Sequence, residues 1–170
     1  IDRIKSIMMN QFNLDASVVP QKGCVSINVK SYSLMLWWES CGLLKTRKDS
    51  KKGKGSFEVH VPDIILATNS EKIYGAFLRG VFEADGCASS SMPSVSSIST
   101  QFLSDIQTLM LGMGIPTHNR LRSSLSKNRY GKNELYTLNV LNKNYIQIFK
   151  DKIGFISSRK NMYLEIIESI

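Results

Sequence analysis

Histidine, cysteine and acidic side chains are all scarce in this chain of 170 residues, and each shortage removes a class of chemistry. His60 and His118 are the only histidines, too few and too isolated in sequence for a histidine-built nuclease or metal site. The three cysteines, Cys24, Cys41 and Cys87, are odd in number and form no CxxC pair. They argue for reduced, packed thiols rather than bridges or zinc ligands. No apolar run reaches membrane-spanning length, and the first residues do not resemble a signal peptide. A soluble, intracellular, cytoplasmic protein with no membrane partner is expected. There is no Gly-rich phosphate loop, and the order of residues suggests no Ser/His/Asp constellation. Acids are outnumbered, 14 Asp and Glu against 22 Lys and Arg, which leaves a net charge of +8 and favours polyanionic partners. At 42% hydrophobic content the chain can bury a core, yet it is small for two independent domains. A two-lobed unit is the expectation.

The most informative stretch is Phe77-Leu78-Arg79-Gly80-Val81-Phe82-Glu83-Ala84-Asp85-Gly86. An apolar, helix-like run here ends on two carboxylates and a glycine. A helix C-terminus already carries partial negative charge from unpaired carbonyls, so Glu83 and Asp85 are unfavourable there unless a cation is present. Such a broken local rule marks a functional site. Ala76, Gly80 and Ala84 fall at i, i+4 and i+8, a narrow face that would let a second helix approach closely. Phe77, Leu78, Val81 and Phe82 belong to the domain's own core.

This decapeptide resembles the signature helix of the LAGLIDADG homing endonucleases, in the form carried by inteins, with Leu78 to Gly86 covering the motif. The resemblance implies an α+β fold of pseudo-symmetric αββαββα repeats with antiparallel, saddle-shaped sheets. It implies double-stranded DNA as substrate, Mg2+ as cofactor, and Asp85 with the main-chain carbonyl of Ala84 as metal ligands. Phosphodiester hydrolysis needs a metal to polarise the phosphate and generate hydroxide, and hard oxygen ligands suit magnesium. Asp85 and Lys160 are the catalytic residues implied. The family usually has Lys-Arg before an aliphatic residue and Pro ahead of its second motif; this chain has Val59-His60-Val61-Pro62. Either Lys51, Lys52 or Lys54 reaches in, or His60 substitutes, or activity is reduced.

A weak internal repeat surrounds the motif. Leu103, Ile106, Leu109 and Met110 match Ile1, Ile4, Ile7 and Met8 at one constant offset, and Leu138-Asn139-Val140 echoes Ile27-Asn28-Val29. Each copy reads helix, strand, strand, helix. Residues 1–69 are then the remainder of a first repeat lacking its signature helix, and residues 70–170 the second repeat. The missing helix would come from an upstream segment and act as a partner.

Basic residues cluster in two places. Lys45 to Lys54 contains Lys51, Lys52 and Lys54 in a glycine-bearing stretch suited to phosphate contact. Thr117 to Lys132 contains Arg120, Arg122, Lys127, Arg129 and Lys132 without an acid. Arg120 and Arg122 alternate as on one face of a strand, and a ribbon with Leu135 to Val140 would enter the major groove. Expected helices are 1–12, 34–41, 61–67, 71–85, 100–113, 142–153 and 158–170, with Asn69 or Ser70 capping the motif helix and Trp37 and Trp38 in the core. A site-specific DNA endonuclease is the reading chosen. Its rival is a non-cleaving DNA- or RNA-binding module of the same fold, a maturase or a degenerate intein relic.

Overall fold

The computed structural model describes residues 1–43, 58–88, 92–123 and 134–169. The chain divides into two compact units, Ile1–Leu44 and Lys45–Ile170. This division falls ahead of the 69/70 boundary drawn from the repeat. The reason is packing: Val61 is fully buried in the second unit's core, Ile65 packs against that core, and the Val61 amide donates to Asp105 Oδ2 at 3.0 Å.

In the first unit α1 (Asp2–Phe12) leads to the antiparallel hairpin β1 (Ala16–Gln21) and β2 (Cys24–Val29), then α2 (Tyr32–Ser40). Asn13 ends α1 in the left-handed region at φ 52°, a conformation asparagine tolerates. Ser31 starts α2 by accepting the Leu34 amide at 3.2 Å. The core of this unit is small: Met8, Ala16 and Leu34, with Leu14, Ile27, Val29 and Trp38 against it. Of Ile4, Ile7, Met8 and Phe12, spaced to form one apolar side of α1, Met8 alone is buried; Ile4, Ile7 and Phe12 are exposed. The tryptophan pair also splits. Trp38 joins the core, whereas Trp37 is 50% exposed and tilted against Phe12 at 6.1 Å. Adjacent helical residues point about 100° apart, so one core cannot take both.

The second unit runs α3 (Asp63–Leu66), α4 (Glu71–Ala84), β3 (Gly86–Cys87), β4 (Ser94–Ser97), α5 (Thr100–Gly112), β5 (Thr117–Ser123), β6 (Leu135–Val140), a 3-10 turn (Lys143–Tyr145), α6 (Ile146–Lys152) and α7 (Ser158–Ser169). Its antiparallel sheet has the order β3-β4-β6-β5. From α4 to α6 this is the αββαββα order implied by the motif. The first unit's α1-β1-β2-α2 repeats the order α5-β5-β6-α6.

Alternation in the strands decides the sheet's two faces. Val95, Leu138 and Val140 turn toward the core, joined by Leu78 and Phe82 of α4, Leu103, Ile106 and Met110 of α5, and Phe149 of α6. Beneath the end of α4 three rings meet: Phe82 lies edge-on to Phe149 at 5.0 Å and to Phe155 at 6.4 Å. Ser70 is the N-cap of α4 but makes no side-chain cap bond, and Asn69 sits in the left-handed region at φ 47°. The expectation of packed thiols fails at two positions, since Cys24 and Cys87 are exposed.

Candidate metal and nucleic-acid site

The motif helix stops where its sequence tells it to. Asp85 is the C-cap of α4, its amide donating to Val81 O at 2.9 Å, and Gly86 turns back tightly. A Cβ on Gly86 would collide with the Phe82 main chain, so only glycine makes this turn.

The two carboxylates there have different fates. Glu83 Oε2 accepts the amides of Ile156 at 2.9 Å and Ser157 at 3.1 Å, just ahead of α7. Burial works to raise the Glu83 carboxyl, but the hydrogen bonds from Ser157 and Ile156 and the charge of Lys160 outweigh it and hold its pKa below the ordinary value. Asp85 is exposed, and among the described residues nothing is hydrogen-bonded to its carboxylate.

The cation demanded by this helix end comes from α7. Lys160 Nζ donates to the carbonyls of Phe82 at 3.0 Å, Glu83 at 2.6 Å and Gly86 at 2.9 Å, and lies 5.4 Å from the Phe155 ring centre. An ammonium has three protons, and all three are committed. Lys160, marked as catalytic by resemblance, is therefore placed as a helix cap. It passes over Ala84: among the described residues no group donates to the Ala84 carbonyl. That carbonyl and the Asp85 carboxylate are hard oxygen donors on one helix end, a set that fits Mg2+, which takes few protein ligands and keeps waters and phosphate oxygens. No group of three or more His, Cys, Asp or Glu comes together among the described residues.

Two other basic side chains act as Lys160 does. Arg79 Nε donates to Ile153 O at the end of α6, and Lys152 donates to Met113 O, at the end of α5, at 2.9 Å and pairs with Glu71. Part of the positive charge thus neutralises helix C-termini and does not face outward.

Ala76, Gly80 and Ala84 are all exposed, and a Cβ on Gly80 would meet nothing within 4 Å. The close approach within this unit is made by Gly75 instead, pressed against the Lys152 carbonyl. Sequence reasoning missed Gly75. Its signal was a second glycine inside α4, which is unfavourable by about 1 kcal/mol unless a contact requires it.

Opposite the core, the sheet presents a polar face. Cross-strand rows place Cys87, Ser94, Asn139 and His118 together, and next to them Ser96, Thr137 and Arg120. Arg122 shares this face, its Nη1 reaching Ser96 Oγ at 3.4 Å. Arg120 and Arg122 are exposed, as are Asn119 before them and Leu121 between them, so β5 is open on both faces here. Ser94, Ser96, Thr137 and Asn139 were not singled out from the sequence, because small polar residues on a strand look the same on any solvated face. Lys51, Lys52, Lys54, Lys127, Arg129 and Lys132 lie outside the described residues. His60, exposed, has its ring Nδ1 3.0 Å from Glu58 O.

Comparison with known proteins accords with this geometry. Residues 72–154 match the LAGLIDADG-like domain. Similar sequences occur within the DNA polymerase II large subunit of Thermococcus kodakarensis, 30% identical over 132 residues covering 68% of this chain and 7% of that protein. They occur also in the replicative DNA helicase DnaB of Synechocystis, 29% identical over 124 residues, 69% of this chain and 14% of that one. A third is the ribonucleoside-diphosphate reductase NrdEB subunit alpha of Bacillus subtilis, 30% identical over 110 residues, 59% of this chain and 10% of that one. The chain therefore spans only a small part of each of these relatives. Among solved structures, a glycine-to-serine variant of I-DmoI in complex with its target DNA in the presence of Mg aligns at a TM-score of 0.62 with 15% identity, covering 90% of this chain and 71% of that one. I-DmoI with DNA and Ca aligns over 98% of this chain and 75% of that one, also at 0.62, with 12% identity. At such identity the likeness is one of fold. A signature helix ending on Asp85 and Gly86, the αββαββα order around it and the match over residues 72–154 agree, and residues 72–154 belong to the LAGLIDADG-like domain family.

Proposed function

We propose that this chain is the DNA-cutting part of an intein-type homing endonuclease, hydrolysing phosphodiester bonds of both strands of a double-stranded DNA site with Mg2+. The observation that carries this is the division of labour at the end of α4: Lys160 takes the carbonyls of Phe82, Glu83 and Gly86, while the Ala84 carbonyl and the Asp85 carboxylate have no protein partner among the described residues. A divalent cation bound there would polarise the scissile phosphate and supply hydroxide. Asp85 and Ala84 would hold it, and Lys160 would keep the helix end in shape from below. The exposed Ala76, Gly80 and Ala84 face would receive a second signature helix, which brings the other half of the ligands. Arg120 and Arg122 on the sheet's polar face would contact base edges, and Lys51, Lys52, Lys54, Lys127, Arg129 and Lys132 the phosphates.

The intein setting is supported by the relatives. One short segment recurs in a polymerase subunit, a helicase and a reductase, proteins of unrelated chemistry, and in each it makes up no more than 14% of the length. An inserted, mobile element accounts for that distribution. Its work on DNA would lie inside the cell, in the cytoplasm. The test is to incubate the natural protein and Mg2+ with a plasmid carrying the host gene without the insertion. Linearisation at the insertion point is expected; an uncut plasmid under conditions where the protein binds it would defeat the cleavage part of the proposal.

Two observations favour the rival, a DNA- or RNA-binding module that no longer cuts: the Lys160 ammonium is fully engaged, and Val59-His60 stands where the family has Lys-Arg. Binding without cutting in the same assay is its signature.

A further inference from the structure

The sheet's polar face contains one side chain out of keeping with its surroundings. Thr137 lies in the same row as exposed Arg120, yet it is only 4% exposed. Its Oγ1 is 2.8 Å from Ser96 Oγ on the neighbouring strand, and Ser96 Oγ in turn accepts Arg122 Nη1 at 3.4 Å. A hydroxyl has one proton and two lone pairs, so Ser96 can make both bonds at once. Threonine is stiff about χ1 because it is β-branched, which makes Thr137 the fixed end of this relay and Arg122 the end being steered. Arginine has many rotamers to lose, so a guanidinium already aimed before binding loses less entropy on contact. The bond to Ser96 is long and engages one of five N–H donors. It is readily exchanged, and the others remain for a ligand.

We infer that Ser96 and Thr137 are positioning residues for Arg122, aiming its guanidinium at the O6 and N7 edge of a guanine in the major groove and so setting the base preference at one position of the DNA site. This rests on the DNA reading above and goes beyond it by assigning specificity to two residues that need not touch DNA. Bidentate arginine on guanine is the pairing this geometry suits.

The experiment uses the natural protein and its Ser96→Ala, Thr137→Val, Thr137→Ser and Arg122→Ala variants, titrated against a randomised duplex library at several salt concentrations. Arg122→Ala is expected to abolish a guanine preference at one position. Ser96→Ala and Thr137→Val should weaken that same preference by about tenfold while leaving the affinity for other sequences and the salt dependence unchanged. Thr137→Ser retains the hydroxyl and should retain the preference. Adding Ser96→Ala to Arg122→Ala should change nothing more. The inference is overturned if Ser96→Ala and Thr137→Val keep the preference that Arg122→Ala loses, or if they weaken all sequences alike, as a merely structural role would. It is likewise overturned if Arg122→Ala loses no preference; in each of these cases duplex binding persists and the DNA reading stands. A natural protein without salt-dependent duplex affinity overturns both.

Discussion

Glu83 and Lys160 cap each other's helices. Glu83, in the last turn of α4, accepts the amides of Ile156 and Ser157 ahead of α7; Lys160, in the first turn of α7, donates to the Phe82, Glu83 and Gly86 carbonyls at the end of α4. Each charge is unfavourable on its own helix and favourable on the other, since helix N-termini attract anions and C-termini cations. The crossed pair therefore locks the helix end next to Asp85.

Removing that lock is expected to be costly. Lys160→Met takes the ammonium away from three partly buried carbonyls, and a loss of roughly 1 to 3 kcal/mol is expected. Urea unfolding read by circular dichroism measures it. An unchanged midpoint would show that water replaces the ammonium without loss.

The pH dependence follows from Glu83. Its folded pKa is lowered, so its contribution to stability is present above the unfolded value, ordinarily 4.5, and is lost as pH falls through the folded value. Unfolding midpoints taken from pH 7 down to pH 3 should fall in the acid range, and Glu83→Gln should remove part of that slope. Equal slopes in the two proteins would assign the acid sensitivity elsewhere.

The two glycines in the middle of α4 should respond oppositely. Gly75→Ala places a Cβ against the Lys152 carbonyl and must push α4 away from α6, whereas Gly80→Ala enters open space and gains helix propensity, up to about 1 kcal/mol. Melting temperatures should fall for the first and stay level or rise for the second. Gly80→Leu, in the natural protein, tests the face itself: a cost of about 1 to 3 kcal/mol is expected if a second helix packs there.

Asp85→Asn should abolish cutting by the natural protein while leaving duplex affinity within a few-fold, because the amide keeps the shape of the side chain but not its charge for a cation. Plasmid cleavage and binding titrations, run side by side, decide it. Undiminished cutting would take Asp85 out of the mechanism.

Much of this protein was legible in one dimension because its signals are local or periodic. The 3.6-residue spacing of Leu78 and Phe82 against Ala76, Gly80 and Ala84 settled which side of α4 is core and which is left open. Alternation on β5 suggested that Arg120 and Arg122 share a face, which the Arg122–Ser96 contact bears out despite a register shift between Leu121 and Ser123, and the shared order of α1-β1-β2-α2 and α5-β5-β6-α6 was visible as a faint repeat. The carboxylates at the end of α4 even announced that a cation was needed. Which cation was beyond the sequence: Lys160 belongs to the far end of the chain, and a lysine that caps carbonyls is spelled like one that serves catalysis. The same limit hid the pressing of Gly75 on Lys152, the exposure of Trp37 and the Ser96–Thr137–Arg122 relay. Periodicity records the contrast between core and solvent along one element, whereas these pairings are made between elements and exist only once the chain has closed on itself.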